Sequence, residues 1–265
     1  MAENLVTLSI PVFFALIGVE IFIARRMGKR IYRAADSIGS MGTGIFDQVV
    51  LNLLRWVLFA GPYLFIYQHF AIHEFNELTL GIFVLGLLVI DFGYYWTHRW
   101  THEVAVLWAG HVIHHSSEEY NLTTALRQSP YASWFNYFPM LGLAVLGVSP
   151  QVALWIIPFE DLYQFWIHTR LVPKLGPLAW GCNAPSHQRV HHGINPQYVD
   201  KNYGGILIIW DRLFGTFAEE GVEPDYGVLK PLRSFNPIRA EFAPWTEVFG
   251  FKTWRQLWKR PGWDP

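Results

Sequence analysis

The chain has 265 residues, of which 52% are apolar, 17% aromatic and only 15% Asp, Glu, Lys or Arg, against about 25% charged residues in an ordinary soluble protein, which argues against a charge-coated soluble globule. Twenty basic residues stand against twenty-one acidic ones for a formal charge of −1, so no basic excess points to a nucleic-acid partner and no acidic excess to a disordered chain. The single cysteine, Cys182, excludes an intramolecular disulfide.

Residues 5–24 carry one charge, Glu20, in twenty positions, a length that matches a hydrocarbon core of about 30 Å. The run starts after MAEN and is followed by Arg25, Arg26, Lys29, Arg30 and Arg33, the pattern of an uncleaved anchor whose C-terminal end faces the cytoplasm. A second apolar stretch runs from about Val49 to Ala71, with Arg55 near its start, and a third from about Leu78 to Trp96. The loop between these two has no Lys or Arg and is expected outside. A fourth apolar region, Trp134 to Ile167, has the turn signal GVSP in its middle. It is too long for one helix and too short for two full spans, and reads as a helical hairpin that enters and leaves on one face. Five basic residues then fall in the first loop, Arg99 and Arg127 in the second and twelve after residue 168, leaving only Arg55 within a span. The expected fold is therefore an all-α integral membrane protein of about four transmembrane helical segments, an anchor, two spans and a hairpin, under a cytoplasmic helical cap. Three regions are expected: membrane spans over 1–78, a histidine-rich domain over 79–217, and a cytoplasmic or interfacial tail over 218–265 that ends in WRQLWKRPGWDP.

Nine of the eleven histidines fall on the cap side of this topology. His98 and His102 lie one turn apart on a continuing helix; His111, His114 and His115 follow; His168 closes the hairpin; His187, His191 and His192 repeat the grouping with three residues before the pair instead of two. One H-x3-H is weak evidence, since His69 and His73 share that spacing at the outer end and read as interfacial or core residues. Three clusters on one face are different. An ion takes four to six ligands, so eight or nine imidazoles imply a dinuclear site. No H-E-x-x-H, G-x-G-x-x-G or Walker sequence is present, and four Met and one Cys are too few for soft copper ligation. A pair of irons or a pair of zinc ions remains. Asp91 and Asn195 are candidate supports for the ligands, Asp91 as an acceptor for a ligand N–H and Asn195 as an orienting group.

Residues 91–121 (DFGYYWTHRWTHEVAVLWAGHVIHHSSEEYN) and 186–217 (SHQRVHHGINPQYVDKNYGGILIIWDRLFGTF) together resemble the fatty acid hydroxylase superfamily, the integral-membrane di-iron group that contains the sterol desaturases. The second segment is similar to the sterol desaturase-like branch that includes alkylglycerol monooxygenase. The resemblance implies that His98, His102, His111, His114, His115, His187, His191 and His192 hold two iron ions, with His168 as the extra histidine of the hairpin. It further implies O2-dependent hydroxylation or desaturation of a membrane lipid (a sterol, acyl chain or ether lipid). Because the chain has no flavin, nicotinamide or haem motif, an external donor such as cytochrome b5, ferredoxin or a tetrahydropterin is implied. A bacterial inner membrane or the endoplasmic reticulum would suit the topology. A membrane metal-transport protein and a zinc-dependent membrane hydrolase are the competing readings; the first would want polar residues through the spans, which are apolar up to Asp91.

Overall fold

Helix α1 (Leu5–Arg26) follows from its unbroken apolar run and ends at Arg25, Arg26 and the left-handed Gly28 (φ 68°). The computed structural model describes residues 5–232, 234–250, 256 and 258, so the tail WRQLWKRPGWDP lies outside the described residues except for Gln256 and Trp258. Three helical stretches are long and apolar enough to cross a membrane: Leu8–Arg26, Ala34–Phe70 and Leu80–Glu103. Much of their apolar surface faces outward, with Leu53, Val57 and Leu80 more than 70% exposed, as expected of side chains whose solvent is lipid.

The second stretch starts fifteen residues before the apolar run at Val49. It comprises α2 (Ala34–Arg55), a π-helical turn over Trp56–Ala60 and α3 (Gly61–Phe70). The wide turn precedes Pro62, which lacks an N–H and whose ring would clash with the carbonyl four residues back in a regular α-helix. The early half of α2 was invisible to hydropathy because its buried face is polar: Asp36, Ser37, Ser40, Thr43 and Asp47 all point into the protein. There Arg127, only 2% exposed, donates to Asp36 Oδ1 (3.4 Å), Ser40 Oγ (3.3 Å) and the Ile113 carbonyl (3.0 Å).

Thr79 caps α4 (Leu80–Glu103) by accepting from the Ile82 N–H. The extended Val104 (φ −116°, ψ 117°) bends the chain into α5 (Ala105–His115), and a short α6 (Leu122–Ala125) follows. The hairpin then descends through α7 (Pro130–Asn136), a 3-10 turn and α8 (Leu141–Leu146), turns at Gly147 and returns as α9 (Pro150–Trp166). Seventeen residues of α9 make about 25 Å of helix, and the tip reaches the α3–α4 loop. Ile72 N–H donates to Val145 O (2.9 Å), Phe75 N–H to Gly147 O (2.8 Å) and Ser149 N–H to Phe75 O (2.9 Å). The hairpin is thus deeper than its apolar length suggests and ends level with the far ends of α3 and α4. Tyr63, Ile90, Leu143, Val148, Val152 and Ile156 fill the space between these helices.

The rest of the chain forms the cap, with α10 (Pro185–His191), α11 (Ile209–Phe214) and α12 (Pro237–Phe249) joined by long loops. Glu20, the one charge of the first apolar run, ties α1 to the cap: buried, it accepts the Leu122 N–H (2.9 Å) and the hydroxyls of Tyr32 and Thr169. Among the described residues the structure is helix and loop, with only isolated β-bridges.

Gly147 sits at φ 89°, and a Cβ there would fall 1.6 Å from the His73 carbonyl oxygen. Gly147→Val is therefore expected to destabilise the protein by at least about 1–3 kcal/mol, read as a lowered unfolding temperature in detergent, whereas Gly181→Ala, with open space at its Cβ, should leave it unchanged.

Candidate metal centre

The last two turns of α4 project His98 and His102 into the cap, and α5, packed against α4, carries His111, His114 and His115. His168 follows the end of α9, and His191 and His192 close α10. All eight side chains are no more than 6% exposed. They form two groups in which the donor atoms lie within 4.8 Å of one another: His98, His102, His111, His115 and His191 in one, His114, His168 and His192 in the other.

The ring nitrogens converge. His98 Nε2 stands 3.1 Å from His111 Nε2, His115 Nε2 3.2 Å from His111 Nε2, and His168 Nε2 3.3 Å from His114 Nε2. Two donors each about 2.1 Å from one ion stand about 3.0–3.4 Å apart at ordinary coordination angles. The Nε2 atoms of His191 and His192 are buried with no hydrogen-bond partner among the described residues. A buried, unpaired nitrogen lone pair is costly, and a metal ion satisfies it. The donor set therefore fits a pair of transition metals.

Four rings are aimed from behind by backbone carbonyls. His98 Nδ1 lies 2.8 Å from Tyr203 O, His114 Nδ1 3.0 Å from Arg127 O, His168 Nδ1 2.7 Å from Gln164 O and His191 Nδ1 3.1 Å from Lys201 O. A carbonyl can only accept, so each Nδ1 carries the proton and each Nε2 offers its lone pair inward. The loop that supplies two of these carbonyls is bent by left-handed residues on both sides of Lys201, Asp200 (φ 60°) and Asn202 (φ 59°), types that tolerate this conformation better than most. Asp211 fixes the same loop by accepting the Tyr203 and Gly204 N–H groups (both 2.8 Å) and the Thr216 hydroxyl (2.6 Å).

Burial acts in the same direction on the rings of the centre that lie outside the spans. It holds His114 down at about 4 and His168 at about 3, and pushes His111, His115, His191 and His192 well below the usual imidazole range, with the neighbouring histidines adding to the effect. Neutral imidazole is the metal-binding form.

Not every expected site residue joins the centre. His187 falls in neither group: its ring packs edge-on against Phe217 at 5.5 Å, and its Nδ1 is buried without a partner among the described residues. Asp91 meets no ligand ring; it accepts from Ile206 N–H (2.6 Å), Leu207 N–H (3.2 Å) and Trp210 Nε1 (2.7 Å), docking the cap on α4. Asn195 pairs with Asp225, accepting its N–H at 2.8 Å. His69 and His73 are exposed at the opposite end of the molecule. Sequence reasoning missed Gln188, 3.3 Å from His168 Nε2, and the Arg127 carbonyl behind His114.

Fold and site together define a membrane-type all-helical protein with a buried polyhistidine centre. The sequence model of the fatty acid hydroxylase family matches residues 83–216, and the chain belongs to that family. It is 42% identical over 253 residues to alkylglycerol monooxygenase of Xenopus tropicalis, covering 94% of this chain and 54% of that protein. It is 39% identical over 267 residues to human alkylglycerol monooxygenase, covering 96% and 59%. Similarity extends to ornithine lipid hydroxylase OlsE of Rhizobium tropici, 33% identical over 135 residues (51% and 41%). The chain thus spans a little over half the length of the alkylglycerol monooxygenases cited. No solved structure matches it.

Two outcomes are expected. Because the folded-state pKa values of His114 (about 4) and His168 (about 3) lie below the ordinary 6.5, the unfolded chain binds more protons in acid, so metal-free protein is most stable above pH 6.5 and loses stability as pH falls from there toward about 3; thermal melts across that window read it out. Removing the buried Arg127 guanidinium by Arg127→Met leaves Asp36 without its cationic partner and is expected to cost about 3–5 kcal/mol, with part recovered in the double variant Asp36→Asn, Arg127→Met.

Proposed function

We propose that the protein is an O2-dependent lipid monooxygenase in which His98, His102, His111, His114, His115, His168, His191 and His192 hold two iron ions. The observation that carries this reading is the pair of buried histidine groups whose Nε2 atoms face one another. Iron in such a nitrogen-rich set supplies the redox chemistry that activates O2 toward an unreactive C–H bond. The chain's own contribution is orientation and exclusion. Backbone carbonyls lock the ring tautomers, burial keeps the imidazoles neutral, and the cap shuts water out of the centre.

The substrate class follows from position and kinship. The centre lies at the cap end of α4, a helix long and apolar enough to cross a membrane, which supports a substrate drawn from the bilayer. Since the chain is similar to alkylglycerol monooxygenases over most of its length, the proposed substrate is an ether lipid of the alkylglycerol type. Arg33, in the basic run that follows α1, pairs with Glu118 at the cap end, which supports a cytoplasmic cap, in the bacterial inner membrane or the endoplasmic reticulum. Electrons are proposed to come from an external donor, a tetrahydropterin, cytochrome b5 or ferredoxin.

The test is metal analysis and isotope labelling on detergent-purified protein. About two irons per chain, together with oxygen from labelled O2 in the product of an alkylglycerol, are expected for wild type, and His114→Ala or His191→Ala should lose both iron and product. Zinc in place of iron, with turnover that continues without O2, would sink the proposal in favour of a hydrolase.

A further inference from the structure

The third histidine run differs from the second in spacing, and the structure shows what fills the difference. In the second run the lead residue, His111, stands three positions before His114; in the third, His187 stands four positions before His191. At about 100° per residue, the position three before a helical pair falls within about 10° of the midpoint of the arc between its members, and the position four before falls about 90° from it. His111 occupies the favourable place and joins a donor group. On α10 the equivalent place belongs to Gln188, while His187 is rotated away onto Phe217.

The two groups are also unequal, with five histidines in one and three in the other. Gln188 sits beside the smaller: it is 3% exposed, and its amide nitrogen lies 3.3 Å from His168 Nε2, the atom that faces His114 Nε2. We propose that the amide oxygen of Gln188 is the fourth protein donor of the second group, completing with His114, His168 and His192 a site for a divalent transition metal. This rests on the metal-centre reading given above.

The amide now presents its NH2 to the His168 lone pair. A cation on that lone pair removes the acceptor and repels the NH2, whereas a half-turn about the last side-chain bond brings Oε1 to the same place, the two orientations being nearly isosteric. Little opposes the turn. The present contact of Gln188 Oε1 is Asn183 Nδ2 at 3.3 Å, and that NH2 already donates to Gly204 O (2.6 Å) and Gly205 O (3.1 Å). The α10 backbone holds the residue in register, with Gln188 N–H donating to Ala184 O (3.1 Å) and Gln188 O accepting from His192 N–H (3.0 Å). A neutral amide oxygen is a weaker partner than imidazole for iron. The second ion is therefore held less tightly than the first, and the asymmetry is written into one residue of α10.

Protein loaded anaerobically with ferrous iron and titrated with a chelator, with metal per chain measured by elemental analysis, tests this without reference to turnover. Wild type is expected to release its ions in two separated phases. Gln188→His should move the weaker phase roughly tenfold or more toward the tighter one, and Gln188→Leu should abolish the weaker phase while the first ion stays. Identical two-phase release by wild type and Gln188→Leu would overturn the assignment. If Gln188→Leu does not fold, the near-isosteric Gln188→Glu decides: a tightened weaker phase supports ligation, and an unmoved one overturns it. Wild-type protein that binds no iron overturns the metal centre itself, an outcome distinct from failure of Gln188.

Discussion

Eight imidazoles share one buried space in this protein only while each remains neutral and points the right way. A protonated ring there would face both the loss of its hydration and the repulsion of its neighbours, and a ring in the wrong tautomer would present a hydrogen where a lone pair is needed. The remedy is a carbonyl behind the ring, and the carbonyls come from far away: Tyr203 for His98, Arg127 for His114, Lys201 for His191. Much of the cap can be understood as the means of holding those carbonyls in place. Asp211 secures the Tyr203–Gly204 backbone from one side, Asp91 secures Ile206 and Leu207 from the other, and the Asn183 side-chain NH2 donates to Gly204 O and Gly205 O.

The helices below the cap obey the same requirement at longer range. Buried charges mark the points where a membrane-type helix is fastened to the centre. Glu20 fixes α1 to the segments around Leu122 and Thr169, and Asp36 fixes α2 to Arg127, whose carbonyl holds His114. At the opposite end the fastening is backbone to backbone, where the hairpin tip meets the α3–α4 loop. The result is an apolar scaffold pinned at both ends, with the histidine centre at one of them.

What the sequence disclosed and what it hid divide along physical lines. Apolar runs and histidine spacing report on helix faces, and they located α1, α4, the hairpin and the helices carrying His98 to His115. The first half of α2 was hidden because its buried face is made of Asp, Ser and Thr, which hydropathy counts as exposed. The depth of the hairpin was hidden because α7 and the turn after it interrupt the apolar run, though the chain continues in the same direction. Spacing also placed His187 with His191 on one helical face, as one turn allows, but the partner positions of a convergent site lie between both members of the pair, which is where Gln188 stands. Asp91 was read as support for a ligand ring; it holds cap backbone instead, a role that depends on residues more than a hundred positions away.

The order in which the ligands occur along the chain bears on how the centre is assembled during synthesis. His98 to His115 leave the ribosome first, but their group lacks His191 and the second group lacks both His168 and His192. Roughly eighty residues, or about 4–16 s at usual elongation rates, separate His115 from the end of α10. Over that interval His98, His102, His111, His114 and His115 are made without the remaining members of their groups. On the proposed reading, a full donor set therefore exists only once α10 and the loop behind it have been made.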